Sequence, residues 1–236
     1  MIKIERTDVV GWESAIRGMR NPMNSWEKSD SHVCCCEDCP MVESGHEPAH
    51  ECNNGEYGYC VGENDLNLMQ RLVQAGSDHS KFMRMLIVFC DITAPLYWWK
   101  EYDTYKVGTV ANSCSTMHKI HEKEFTREDF SCDHLFDDSA RRYESDDCFY
   151  LSTLDYVIGA LNDARTMYRH TKDKRYWWQM IQLLPASYNQ MRTVEVNYAV
   201  LRNMYHARKN HKLDEWHTFC EWVETLPYAK ELITCE

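Results

Sequence analysis

The stretch Leu183 to Trp216, LLPASYNQMRTVEVNYAVLRNMYHARKNHKLDEW, constrains the fold more than any other. Pro185 stops a helix arriving from its N-terminal side, because a proline disfavours helical geometry in the residue before it. A loop follows. Val194, Tyr198, Leu201 and Tyr205 then share one face at helical spacing, which predicts an amphipathic helix from Thr193 to Arg208. Asn197, Asn203 and Arg208 lie on its polar side. Spread over about three turns, they fall within a broad sector that one elongated ligand can meet. An amide offers donor and acceptor together, which suits a heterocycle or a ribityl chain. A guanidinium offers a fork that suits phosphate. The competing reading is a solvated helix face with ordinary polar decoration.

The chain of 236 residues is long enough to bury a core. Its net charge of −11 argues against a free-standing nucleic-acid binder, although a few placed arginines can still hold an anion. Eight Trp and fourteen Tyr suit a packed core and a planar-ligand pocket equally well. No apolar run reaches membrane-spanning length. The opening MIKIERTDVVGWESAIRGMR carries charges throughout, so no signal peptide is expected. A cytoplasmic location follows as the expectation, and there the twelve Cys read as thiols or metal ligands before disulfides.

Along the chain, Met1 to Val10 alternates like an edge strand, and Gly11 to Arg20 reads as a short helix ended by Asn21-Pro22. Asp65 to Ala75 reads as a helix capped by Asn64 or Asp65 and closed by Gly76. Met83 to Ile92 is a candidate buried strand, and Pro95 opens an aromatic helix from Leu96 to Tyr105. Gly108 to Ile120 is a loop or extended segment, and Glu122 to Asp147 is acidic and expected at the surface. Ser152 starts a helix with a capping-box-like Asp155, whose stripe is Leu154, Val157, Ile158, Leu161, Ala164 and Tyr168. Arg175 to Leu184 is a short helix, and Asp214 to Thr225 is the last one. Mostly helix with a few strands makes the fold class α+β. Residues 1–236 read as a single domain with a Cys-rich insertion at about 31–62.

That insertion contains CCCEDCPMVESGHEPAHECNNGEYGYC from Cys34 to Cys60, with six of the twelve Cys and almost no apolar periodicity. It cannot pack a core by itself. Cys36 and Cys39 form a Cys-x2-Cys knuckle, and with Cys52 and Cys60 they supply four thiolates for a structural zinc. His46 or His50 could replace one of them. Disulfides and free thiols remain alternatives.

At the helix with Asn197, Asn203 and Arg208 the chain resembles the flavin-dependent thymidylate synthases. That family carries a Leu-Pro, a loop, and a helix of the form N-x5-N-x4-R followed by an acidic/Trp element. Here these are Leu184-Pro185, then Asn197, Asn203 and Arg208, then Glu215-Trp216. Upstream, Asp91-Ile92-Thr93-Ala94-Pro95 resembles the family's strand and helix start. Tyr105 to His118 lies where the signature RHRxxSxNExSxRY is expected, with Asn112 and Ser115 on its Asn and second Ser. The resemblance covers Phe82 to His118 and Leu183 to Thr225, less than half of the chain.

The resemblance implies a thymidylate synthase-like α+β fold, mostly helical with a small sheet. It implies FAD and a pyrimidine nucleotide such as dUMP as ligands, in a homotetramer with sites between subunits. If the family activity is retained, the reaction is reductive methylation of dUMP, with NADPH and methylenetetrahydrofolate. Asn197, Asn203 and Lys106 would then face FAD, and Arg208, Ser115 and Asn112 the nucleotide. The chain departs from the signature. Its Arg-His-Arg falls on Tyr105-Lys106-Val107 or, with a one-residue slip, on Thr104-Tyr105-Lys106. Its Glu falls on Ser113, its last Arg on Met117, and the Arg ahead of Leu-Pro on Ile181. Losing one buried charged contact costs about 2–5 kcal/mol of binding. Lys106, Lys119, Arg192 and Arg202 are the cations available to compensate. Cys114 is the candidate if a thiol is used instead, and no catalytic residue is assigned.

Three features have simpler explanations. His118 and His121, near Glu122 and Glu124, match no standard metal spacing. The Trp98-Trp99 and Trp177-Trp178 pairs suit core or interface packing better than ligand stacking. Two alternatives stand beside the enzyme: a non-catalytic relative of the fold acting as a binding or interaction protein, and a small zinc protein whose Cys-rich loop docks a partner.

Overall fold

The computed structural model of the chain describes residues 2–35, 57–136 and 150–235. In chain order the elements are β1 (Lys3–Val10), α1 (Trp12–Arg20), β2 (His32–Cys35), β3 (Tyr57–Cys60), α2 (Glu63–Gln74) and β4 (Ile87–Pro95). They continue with α3 (Leu96–Tyr102), β5 (Thr109–Ser113), α4 (Thr116–Lys119), α5 (Tyr150–Thr171), α6 (Lys174–Leu183), β6 (Asn189–Asn197), α7 (Tyr198–Arg208), α8 (Asp214–Glu224) and α9 (Ala229–Leu232). The class is α+β, as the sequence pattern implies. One sheet has the order β1-β4-β6-β5, so β1 is an edge strand as expected. β2 and β3 pair antiparallel, with His32 opposite Cys60 and Cys35 opposite Tyr57. The Cys-rich segment is therefore entered and left through this pair.

The chain forms two units, one of Met1–Lys3, Ile92–Thr104 and Asn112–Thr193, the other of Ile4–Asp91, Tyr105–Ala111 and Val194–Glu236. In the first, α5 and α6 pack around Ile120, Phe125, Phe130, Leu154, Leu161 and Met180. Phe125 and Phe130 thus correct the expectation that Glu122 to Asp147 is all surface: two aromatics outweigh the acidic residues around them, and residues 137–147 lie outside the described ones. The α5 stripe is as predicted, with Leu154, Leu161 and Ala164 buried. Its start is not. Ser152 lies within the helix, which is described from Tyr150 on, so it is not its cap, and Asp155 pairs with Arg127 instead. Trp98, Trp99 and Tyr102 of α3 are buried, with Trp99 edge-on to both neighbours at 5.0 and 5.2 Å. Edge-to-face packing fills space on every side, so this pair is core and leaves no open face for a ligand.

In the second unit, α1 buries Trp12, Ala15, Ile16 and Met19, the i, i+3, i+4, i+7 set of one helix face. It follows β1 directly because Gly11 has φ +100°. A Cβ there would meet the Met85 carbonyl oxygen at 2.0 Å, so only glycine fits. α2 is capped differently from the expectation. Asp65 is buried inside its first turn, and the Asp30 carboxylate accepts from the Asn64 and Asp65 N–H groups. A residue distant in sequence thus supplies the cap that neither Asn64 nor Asp65 provides.

Thr193 to Asn197 is strand, not helix. Gln190, Val194 and Val196 are buried while Met191 and Thr193 are exposed, a period of two. The β-branched Thr193, Val194 and Val196 carried that signal beside Glu195. The helix starts only at Tyr198.

Candidate functional site

The second unit holds four of the six residues predicted to face FAD or the nucleotide: Lys106, Asn197, Asn203 and Arg208. Asn197 is the last residue of β6 and the cap of α7: its Oδ1 accepts from Val200 N–H at 3.0 Å. A short polar side chain does this well because the first helical N–H groups have no partner within the helix. Its Nδ2 donates to the Gly108 carbonyl at 3.4 Å, and the residue is buried. Asn197 therefore fixes both the helix start and the 105–108 loop. Gly108 has φ +79°, and a Cβ on it would lie 2.5 Å from Asn197 Nδ2.

Arg208 closes the same loop from the other end of α7. Its Nε donates to the Tyr105 hydroxyl at 3.0 Å, and its guanidinium carbon sits 5.0 Å from the Trp216 ring centre and 5.6 Å from that of Tyr105. The half-buried cation is thus lodged against two aromatic rings, a cation–π arrangement. Trp216 is buried, with Tyr105 and His211 edge-on to it. Asn203 and Lys106 are exposed. At 100° per residue, Asn203 and Arg208 point about 140° apart around α7. Together with the strand conformation before Asn197, this replaces the predicted single sector. Asn197 and Arg208 hold the framework, while Asn203 and Lys106 face outward.

The first unit holds Asn112 and Ser115. Asn112 is exposed on β5, and Ser115 caps α4, its Oγ accepting from His118 N–H at 3.0 Å. Cys114 lies between them, exposed, with its N–H donating to the Met191 carbonyl at 2.9 Å. Its own carbonyl accepts from Gln190 Nε2 at 2.8 Å. Sequence reasoning passed over Gln190, whose place on the buried side of β6 was legible only once that segment was read with a period of two. Burial pushes the Cys90 thiol up to about 12 and the Cys220 thiol up to about 11, which makes both poor nucleophiles.

The four candidate replacement cations differ in availability. Lys119 is paired with Glu122. Arg202 donates from Nη1 to the carbonyls of Ile233 and Cys235 at 3.0 and 2.6 Å, tying down the end of α9. Arg192 is stacked on Trp99 and paired with Asp103 at 2.8 Å. Lys106 is exposed, as is the paired Lys119. Ile181, where the family's Arg is expected, packs against the core of the first unit. His118 is exposed, and His121 stands edge-on to Tyr168 at 4.9 Å. Trp177 donates to the Met117 carbonyl at 3.0 Å and packs against the core of the first unit, while Trp178 is exposed.

Of the predicted zinc ligands, Cys36, Cys39 and Cys52 lie outside the described residues, and Cys60 is buried on β3. Among the described residues no three His, Cys, Asp or Glu side chains come together as a metal site. Among them, too, no helix is long and apolar enough to cross a membrane.

No family model matches the sequence. No curated protein matches it either. Solved structures do. The chain is similar to thymidylate synthase X (ThyX) from Helicobacter pylori with FAD and dUMP, at 16% identity and a TM-score of 0.62, over 99% of this chain and 98% of that one. It is also similar to the UMP/dUMP methylase PolB from Streptomyces cacaoi bound with 5-Br dUMP, at 13% identity and a TM-score of 0.53, over 99% and 95%. The chain has the fold of the flavin-dependent thymidylate synthases, along nearly its whole length.

Proposed function

We propose that this protein is a diverged flavin-dependent thymidylate synthase-like protein that binds FAD and a pyrimidine nucleotide such as dUMP. The observation that carries the reading is the fold likeness to the H. pylori protein held with FAD and dUMP, over 99% of this chain. The sequence spacing of Asn197, Asn203 and Arg208, followed by Glu215-Trp216, resembles the family's motif and adds to it. In the same reading residues 1–236 act as a single cytoplasmic domain, assembled as a homotetramer.

The residues present fit FAD in part. Asn203 and Lys106 are open and offer an amide and a cation. Asn197 and Arg208 serve the ligand by shaping the 105–108 loop. Bound FAD would supply hydride transfer, and the protein's share is to bind and orient. Asn112 and Ser115 are assigned to the nucleotide. Methylation of dUMP, with methylenetetrahydrofolate and NADPH, is the reaction assigned by this reading, and it should be slow. Lys106 and Lys119 are the exposed cations among the four candidates, Lys119 being paired with Glu122, and a lysine cannot copy a bidentate fork.

A second reading, a non-catalytic relative used for binding or interaction, is favoured by one observation: Arg208 is already lodged against Tyr105 and Trp216. Two measurements separate the readings. FAD and dUMP should each raise the melting temperature of the purified chain, and a chain indifferent to both at saturation defeats the first reading. Expression in a thymidine-requiring bacterial strain should give weak rescue. No rescue from a chain that still binds FAD and dUMP selects the non-catalytic reading.

A further inference from the structure

Arg192 lies on β6 with its guanidinium carbon 4.1 Å from the centre of the Trp99 ring, and its side chain is 15% exposed. Its Nη1 donates to Asp103 Oδ1 at 2.8 Å, and its Nε donates to Gln190 Oε1 at 3.1 Å. Gln190 is buried. Its Nε2 donates to the Cys114 carbonyl at 2.8 Å, and its main-chain carbonyl accepts from Trp99 Nε1 at 2.9 Å. Cys114 N–H returns to the Met191 carbonyl at 2.9 Å. The Cys114 residue is therefore held at its N–H by the β6 main chain and at its carbonyl by the Gln190 side chain.

A primary amide has two ends, and only one can face a carbonyl favourably. The Cys114 carbonyl and Arg192 select the same orientation. A guanidinium only donates, so it requires the Gln190 oxygen and keeps the Gln190 NH2 toward Cys114. Without that donor the Gln190 oxygen loses its anchor, and the side chain is free to turn away from the Cys114 carbonyl and give up the bond.

We propose that Arg192 is a positioning residue: by fixing the Gln190 amide it sets the Cys114–Ser115 turn that leads from β5 into α4. This rests on the nucleotide reading, in which Asn112 and Ser115 on either side of that turn contact the ligand. The role differs from that of a substitute phosphate cation. The guanidinium is covered by Trp99 and occupied by Asp103 and Gln190, so its effect on the ligand passes through Gln190.

The test compares the full chain with Arg192→Lys, Arg192→Met, Gln190→Met and the double variant Arg192→Met/Gln190→Met. The readouts are hydrogen exchange at residues 112–116, dUMP affinity and FAD affinity. Losing one buried hydrogen bond should speed exchange at 112–116 and weaken dUMP binding by about fivefold in each single variant. Exchange in α5 and α6 and the affinity for FAD should stay unchanged. The double variant should be no worse than either single one, because both changes break the same chain of bonds. Lysine should behave like methionine, since it keeps the charge but does not reproduce the Nε bond to Gln190. Full dUMP affinity in Arg192→Lys alongside a loss in Arg192→Met would overturn the proposal in favour of direct charge contact. Unchanged exchange in Gln190→Met would overturn it outright. A wild-type chain that binds no dUMP defeats the nucleotide reading, and the exchange rates then still decide whether Arg192 sets the turn.

Discussion

Two polar clusters of the second unit, one at the foot of α2 and one along α7, treat their hydrogen-bonding capacity in opposite ways. At the foot of α2, Asp65 is 0% and Arg20 5% exposed in their side chains. Asp65 Oδ1 accepts from Arg20 Nε at 2.6 Å, and Oδ2 accepts from the Ser29 and Ser31 hydroxyls and the Asp30 N–H. The two remaining Arg20 nitrogens donate to the carbonyls of Ser25 and Lys28. Ser31 Oγ also accepts from Gly62 N–H, so the chain on both sides of β2 and β3 is fastened to one buried carboxylate. Along α7 Asn197 is partnered at both ends of its amide, while Asn203 and Lys106 face solvent. A buried charge without full partners is costly, so a framework cluster closes on itself. A binding site keeps some polar groups open and lets buried neighbours hold their geometry.

The comparison breaks most visibly at Asp65. Asp65→Ala should leave Arg20 buried without its carboxylate and cost about 3–5 kcal/mol in urea unfolding. A loss below about 1 kcal/mol would show that the pair is not the framework element described. The same site sets a pH dependence. Burial alone would raise the Asp65 carboxyl, but hydrogen bonds from Ser29, Ser31 and Arg20 together with the Arg20 charge outweigh it and hold the group below the ordinary 3.8. Its contribution is therefore full above 3.8 and is lost as pH falls through the lower folded value. Asp65→Asn should flatten that acid limb of the stability curve, and an acid limb as steep as wild type's would contradict the assignment.

Gly108→Ala comes next. A residue with φ +79° and a Cβ 2.5 Å from Asn197 Nδ2 is strained, at about 1–2 kcal/mol for the backbone alone. Both the melting temperature and FAD affinity should fall. Asn197→Ala should cost about 1 kcal/mol through the lost helix cap. Asn197→Asp, which keeps an acceptor for Val200 N–H but loses the donor to Gly108, should retain most of that stability. Equal losses in the two variants would place the stabilisation in the Gly108 contact. Asn203→Ala should change stability by less than about 0.5 kcal/mol, because the side chain is exposed. It should nonetheless weaken FAD binding, and unchanged FAD affinity would return Asn203 to plain surface.

Much of this was legible in residue order. Pro185, Gly76, Pro95 and the α5 stripe set element boundaries through local sterics and periodicity, which a single chain displays. The Asn197, Asn203, Arg208 spacing was read as one helix, whereas Asn197 ends β6 and caps α7. Thr193-Val194-Glu195-Val196 has both helical and alternating matches, and only pairing within the sheet decides between them. The Arg20–Asp65 pair, 45 residues apart in sequence, left no local trace, and neither did Asp103 with Arg192. Long-range polar partners follow from topology, not from neighbours in the chain.

The account's central claim is tested most directly by titrating the purified full chain with FAD in the presence of dUMP, following flavin fluorescence. Saturable binding is expected, weakened in Asn203→Ala and Lys106→Met while both variants melt at the wild-type temperature. Fluorescence that shows no saturable binding by the wild-type chain would contradict the claim and leave the fold without the function proposed for it.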